Sequence, residues 1–133
     1  MKHQKQGMGK YLLDSGATHH ILTDKTKFVS LDSNYDPLQN NLTLADGSRE
    51  FGTIKGRGVA CINVQDEDGN PHRIILHDAL YVPTFTQNIL SVMCLVTNGT
   101  ELVMNKDGVK LRDEQTTYIA DCENGLAYIK VDH

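Results

Sequence analysis

A short apolar run, Tyr11-Leu12-Leu13, ends in one acidic residue, Asp14, and then in the small-residue stretch Ser15-Gly16-Ala17-Thr18. Continuous apolar runs bounded by turn signals suit strands covered on both faces, so Tyr11 to Leu13 reads as a buried strand with Asp14 at its end. Thr23 to Phe28 predicts a single helical turn capped by Thr23. The polar segment Ser30 to Asn41, which carries Pro37, predicts a loop. Leu42-Thr43-Leu44 then alternates, Asp46-Gly47 is a hairpin turn signal, and Phe51, Thr53 and Ile54 continue on the far side. Val59 to Val64 is a strand by its β-branched content. Gly52, Gly56 and Gly58 ahead of it mark bulges or bends in a twisted arm. A phosphate loop is disfavoured there, because no strand-to-helix transition or Gly-Lys-Ser/Thr follows.

Further along, Asp66 to Pro71 is a turn, Arg73 to Leu76 a strand, and Ala79 to Val82 another strand ended by Pro83. Asn88 to Gly99 contains the one convincing helix: Ser91 caps it, Val92, Leu95 and Val96 share a face, and Gly99 suits its end. From Thr100 onward strands alternate with turns. Glu101 to Met104 and Val109 to Leu111 flank Lys106-Asp107-Gly108, and Thr116 to Ala120 and Leu126 to Val131 flank a turn ending in Asn124-Gly125. The class that follows is mostly β.

Composition narrows the picture. A chain of 133 residues suits one domain, with residues 1–10 a polar lead-in and residues 11–133 the folded unit. The lead-in has no apolar core, so neither a signal peptide nor a membrane span is expected. A net charge of −4 without a basic run argues against nucleic acid as the partner, since phosphate binding needs clustered Lys and Arg. Cys61, Cys94 and Cys122 form no Cys-x-x-Cys pair and are odd in number, which disfavours a disulfide framework and a zinc site and suggests reduced thiols in an intracellular compartment.

The chemistry gathers at Asp14. A carboxylate at the end of a hydrophobic strand, followed by Ser and Gly, stands against apolar walls yet within reach of a ligand through a glycine backbone. Asp-Ser-Gly is also a common turn tripeptide. Leu12-Leu13-Asp14-Ser15-Gly16-Ala17 resembles the hydrophobic-hydrophobic-Asp-Thr/Ser-Gly-Ala signature of aspartic proteases. Asp14 to Thr18 followed by His20 resembles the version found in copia-type retrotransposon polyproteins. Leu80-Tyr81-Val82-Pro83 and Asn88-Ile89-Leu90-Ser91 through Leu95 are similar to later segments of the same family, although Ser91 stands where retroviral enzymes usually carry Gly. These motifs cover Tyr11 to Gly99, and Thr100 to His133 matches less specifically.

The resemblance implies a retropepsin-like fold with a flap hairpin, here Leu44, Ala45, Asp46, Gly47 and Ser48, and an aspartic endopeptidase that needs no metal or cofactor. Such hydrolysis requires two adjacent carboxylates sharing one proton. With one Asp-Ser-Gly per chain, the expected assembly is a homodimer that joins two Asp14 side chains about a two-fold axis. Ser15 would hydrogen-bond across that axis, and Gly16 and Ala17 would let a substrate backbone approach. The substrate would be the element's own Gag-Pol polyprotein and the setting the cytoplasm or a virus-like particle. A domesticated or inactive domain serving as a dimerisation or peptide-binding module is the alternative.

Other residues weigh less. His19, His20, His72 and His77 show no metal-ligand spacing, and His20 reads as a local hydrogen-bonding residue. Ser15 lacks the Gly-x-Ser-x-Gly setting of a nucleophile. Deleting Leu126 to His133 is expected to weaken association more than it alters the monomer.

Overall fold

The computed structural model describes residues 9–34, 42–43, 49–50 and 54–132 of the chain. The proposed flap tip, Leu44 to Ser48, lies outside the described residues, as does most of the lead-in. The flanking strands β4 (Leu42–Thr43) and β5 (Arg49–Glu50) do pair antiparallel, with Leu42 opposite Glu50.

Among the described residues the class is mostly β with one short helix, as the patterning predicts. The apolar run forms β1 (Lys10–Asp14), whose Tyr11 is buried in the main core. It pairs in parallel with β8 (Asn88–Ser91) on one side and antiparallel with β13 (Leu126–Asp132) on the other. Around these run β2 (Ile21–Leu22), β6 (Gly56–Gln65) and β7 (Pro71–Tyr81), in the order β13-β1-β8-β2-β7-β6. Because β13 also pairs with β6, through Val131 opposite Val64, these strands close into a barrel. Closure satisfies strand edges that an open sheet would leave unpaired. β3 (Phe28–Asp32) and β12 (Asp121–Glu123) add to its flanks. A separate three-stranded sheet is made by β9 (Glu101–Asn105), β10 (Gly108–Arg112) and β11 (Thr117–Ile119), and its Val109, Leu111 and Tyr118 join the barrel core. Between β8 and β9 lies the helix α1 (Val92–Thr97).

Several expectations are corrected. Lys25–Lys27 form one 3₁₀ turn, but its cap is Asp24, whose Oδ1 accepts from the Thr26 N–H at 2.9 Å. Thr23 instead donates its N–H to Asn88 Oδ1 at 2.8 Å. Ser30 to Asp32 are not loop: exposed Ser30 and Asp32 alternate with half-buried Leu31 in an edge strand that β6 pairs. Glycine makes this pairing possible. A Cβ on Gly58 would stand 1.9 Å from the Ser30 carbonyl oxygen, and the ladder shifts register beside it. The two strands expected in residues 73–82 are one strand, β7, which passes through Asp78 at φ 59° without ending. Bonds from the Arg57 guanidinium hold the Asp78 carboxylate, one of them 2.8 Å from Nη2 to Oδ2.

Pairing near the C-terminus also differs. β11 turns back on β10, and it is β12 that pairs with β13 around Asn124-Gly125. Both turn residues have positive φ, 52° and 80°, as a two-residue hairpin link demands, so the strands immediately flanking the link become partners. In α1, Val92 and Leu95 are buried as expected while Val96 is exposed, because a helix of six residues has only one narrow inward face. No helix among the described residues is long and apolar enough to cross a membrane.

Candidate functional site

Asp14 is the last residue of β1 and is 7% exposed. The parallel ladder brings it opposite Ser91, so the end of the acid-bearing strand and the start of α1 lie side by side. Past this point the chain turns sharply. The Gly16 N–H donates to Asp14 Oδ1 at 2.8 Å, an Asx-type bond that orients the carboxylate over its own turn. Gly16 does not have positive φ, so the turn does not call for a left-handed backbone there.

The turn residues expected to form the site are contiguous, but they face different ways. Ser15 and Gly16 are exposed. Ala17 is buried beside Ile21, Leu80 and Val82 in a second, smaller core cluster. Of the pair expected to let a substrate approach, only Gly16 therefore offers an open backbone. Ser15 opens onto a cavity of about 220 Å³ whose apolar walls include Leu13, Val92, Leu102 and Leu126. The cavity lies where β1, α1 and the two sheets meet.

Beneath the turn is a polar network with buried Ser91 and His20 at its centre. Ser91 Oγ donates to the Ala17 carbonyl at 2.7 Å and accepts from the Cys94 N–H at 3.1 Å, the latter being the expected helix cap. The Ser91 N–H donates to His20 Nδ1 at 3.0 Å, and Cys94 Sγ donates to the Thr18 carbonyl at 3.2 Å. His20 is 2% exposed. It is thus the hydrogen-bonding residue expected, though its partner is 71 positions away rather than local. Accepting at Nδ1 fixes a neutral ring protonated at Nε2. Burial pushes its pKa down to about 4, with the neighbouring His19 and His77 acting in the same direction and Asp78 opposing them.

His19 takes other partners: Nδ1 lies 2.9 Å from Thr18 Oγ1 and Nε2 3.8 Å from Asp78 Oδ2. Burial lowers its pKa as well. The Arg57 guanidinium holds the Asp78 carboxyl below the usual carboxylate range. Among the described residues no group of three or more His, Cys, Asp or Glu gathers around a point suited to a metal ion. Ser91 and the buried Asn88, which ties β8 to Thr23, stand out only in three dimensions. The Asn-Ile-Leu-Ser segment was the signal in sequence for both, without indicating what they hold.

Residues 11–100 match the family described as Pol polyprotein, beta-barrel domain. Over 107 residues the chain is 33% identical to the retrovirus-related Pol polyprotein from transposon RE1 of Arabidopsis thaliana, covering 80% of this chain and 7% of that polyprotein. No solved structure matches. The matched span begins with the strand that carries Asp14 and ends just after α1, and the closed barrel is the architecture that the family's description names: this chain belongs to the β-barrel domain family of retrotransposon Pol polyproteins.

Proposed function

We propose that the domain is the aspartic endopeptidase of a copia-type Pol polyprotein, and that it works as a homodimer. The observation that carries this reading is the placement of Asp14: a carboxylate at the end of a central barrel strand, buried to 7% exposure, with its own turn's Gly16 N–H bonded to it. A single carboxylate cannot serve as both acid and base. Two Asp14 side chains meeting at a two-fold axis can, because like charges so close cannot both ionise and the pair retains one proton. The ionised member takes a proton from a water as its oxygen attacks the scissile carbonyl carbon. The protonated member gives its proton to the carbonyl oxygen, and transfer of a proton to the departing nitrogen completes cleavage of the C–N bond. Exposed Ser15, next to this axis, bonds the partner turn in this reading. The substrate is an extended segment of the parent polyprotein, and the reaction takes place in the cytoplasm or within a particle assembled there.

The test pairs sedimentation with cleavage of a peptide library at mildly acidic pH. A dimer that cleaves, with cleavage lost by about 100-fold or more in Asp14→Asn, is the expected result. Cleavage unchanged in Asp14→Asn removes the reading. An assembled dimer that cleaves nothing favours the alternative, a domesticated module that binds peptides without hydrolysing them.

A further inference from the structure

We propose that Ser91 and His20 are positioning residues for this hydrolysis, gripping from beneath the turn that carries Asp14. The inference rests on the endopeptidase reading for its consequence, but its geometry is independent of it. The ladder between β1 and β8 ends at Asp14 opposite Ser91, and between Ser15 and His20 the chain belongs to no strand. Where such a segment turns inward, at buried Ala17 and His20, its polar groups need partners from outside the ladder. The Ala17 carbonyl takes the Ser91 hydroxyl at 2.7 Å, and the Thr18 carbonyl takes the Cys94 thiol at 3.2 Å.

The direction of the Ser91 hydroxyl is determined. A hydroxyl has one proton to donate, and with the Cys94 N–H arriving at 3.1 Å as a donor, that proton is directed to Ala17. The Ser91 backbone is held in turn by His20 Nδ1 at 3.0 Å. One residue at the end of β8 therefore holds the middle of the turn through its side chain and the end of the turn through its N–H. Both Ser91 and His20 are buried, 0% and 2% exposed, so neither is available to touch a substrate. Their effect on the reaction must pass through the placement of Asp14, where small displacements of a reacting group have large kinetic consequences.

The experiment measures kcat, KM and hydrogen exchange on the assembled 133-residue protein for wild type, Ser91→Ala, His20→Ala and His20→Asn. Asn keeps an acceptor close to the Nδ1 position. Ser91→Ala and His20→Ala should lower kcat by about 10- to 100-fold with KM within about threefold. Exchange at the Gly16, Ala17 and Thr18 amides should rise by about tenfold while β6 and β7 amides stay protected, and His20→Asn should recover most of both losses. Ser91→Ala with kcat within about twofold of wild type and unchanged exchange at the turn overturns the proposal. If Ser91→Ala does not fold, the His20→Ala and His20→Asn pair decides by the same criteria. If the wild-type dimer cleaves no peptide, the endopeptidase reading falls, and exchange at the turn amides still decides whether Ser91 and His20 hold the turn.

Discussion

His20 couples acidity to the stability of this chain. In the unfolded chain its ring binds a proton near pH 6.5, whereas in the folded protein it resists protonation down to about pH 4. Between those values the unfolded state carries the extra proton, so stability is complete above pH 6.5 and declines as pH falls toward 4, by on the order of 3 kcal/mol. Asp78 acts in a lower window: its pKa is depressed by Arg57, so its contribution is present above the unfolded value of 3.8 and lost as pH falls through the lower folded one. Urea midpoints between pH 7 and 4.5 should fall steeply for wild type and much less for His20→Asn, which cannot titrate. Equal slopes would show that the buried imidazole is not the cause. The motif in sequence pointed to His20 as a hydrogen-bonding residue, and its being neutral and inward-facing follows from the Ser91 N–H that it accepts.

Strands in this chain owe their positions to neighbours as much as to their own residues. Gly58 shows this most directly, since any side chain there would collide with the Ser30 carbonyl on β3. Gly58→Ala should therefore detach the edge strand and cost several kcal/mol, about 2 or more, in denaturant unfolding. Gly125→Ala makes a useful contrast. Nothing lies within 4 Å of its would-be Cβ, and the strain comes only from φ +80°, so a loss of about 1–2 kcal/mol is expected. A Gly58→Ala variant as stable as Gly125→Ala would contradict the close approach. β13 carries a larger consequence, because Ile129 and Val131 are core residues and the strand pairs with β1, β12 and β6. The expectation that losing Leu126 to His133 chiefly weakens association is thereby corrected. Truncation opens the barrel, and the truncated chain should lose its cooperative thermal transition altogether.

The closed barrel extends beyond the span that the family shares: the match ends at residue 100, and the closing strand begins at Leu126. A whole molecule built this way offers one Asp14 per chain, so catalysis in the proposed endopeptidase belongs to a pair of molecules. Mixing provides a sharp test. With freely exchanging subunits at equal amounts of wild type and Asp14→Asn, half of the wild-type chains have a mutant partner, so activity per wild-type chain should fall to about one half. Activity that simply tracks the amount of wild type would mean that each chain carries a complete site.

Class, the position of the acid-bearing turn and the existence of the short helix were legible along the chain, because each is written in local terms: an apolar run, a turn tripeptide, a capping serine. The continuity of β7 through Asp78, the strand character of Ser30 to Asp32 and the choice of β12 over β11 as the partner of β13 were not. The first two depend on a bond or a close approach between segments far apart in sequence, Arg57 to Asp78 and Gly58 to Ser30, whereas the third follows from the tight Asn124-Gly125 link, which pairs the strands immediately beside it. The same division holds at the site. Local residues place Asp14 at a strand end and bend the chain behind it, while the grip of Ser91 and His20 on that bend exists only because a parallel ladder brings position 91 against position 14.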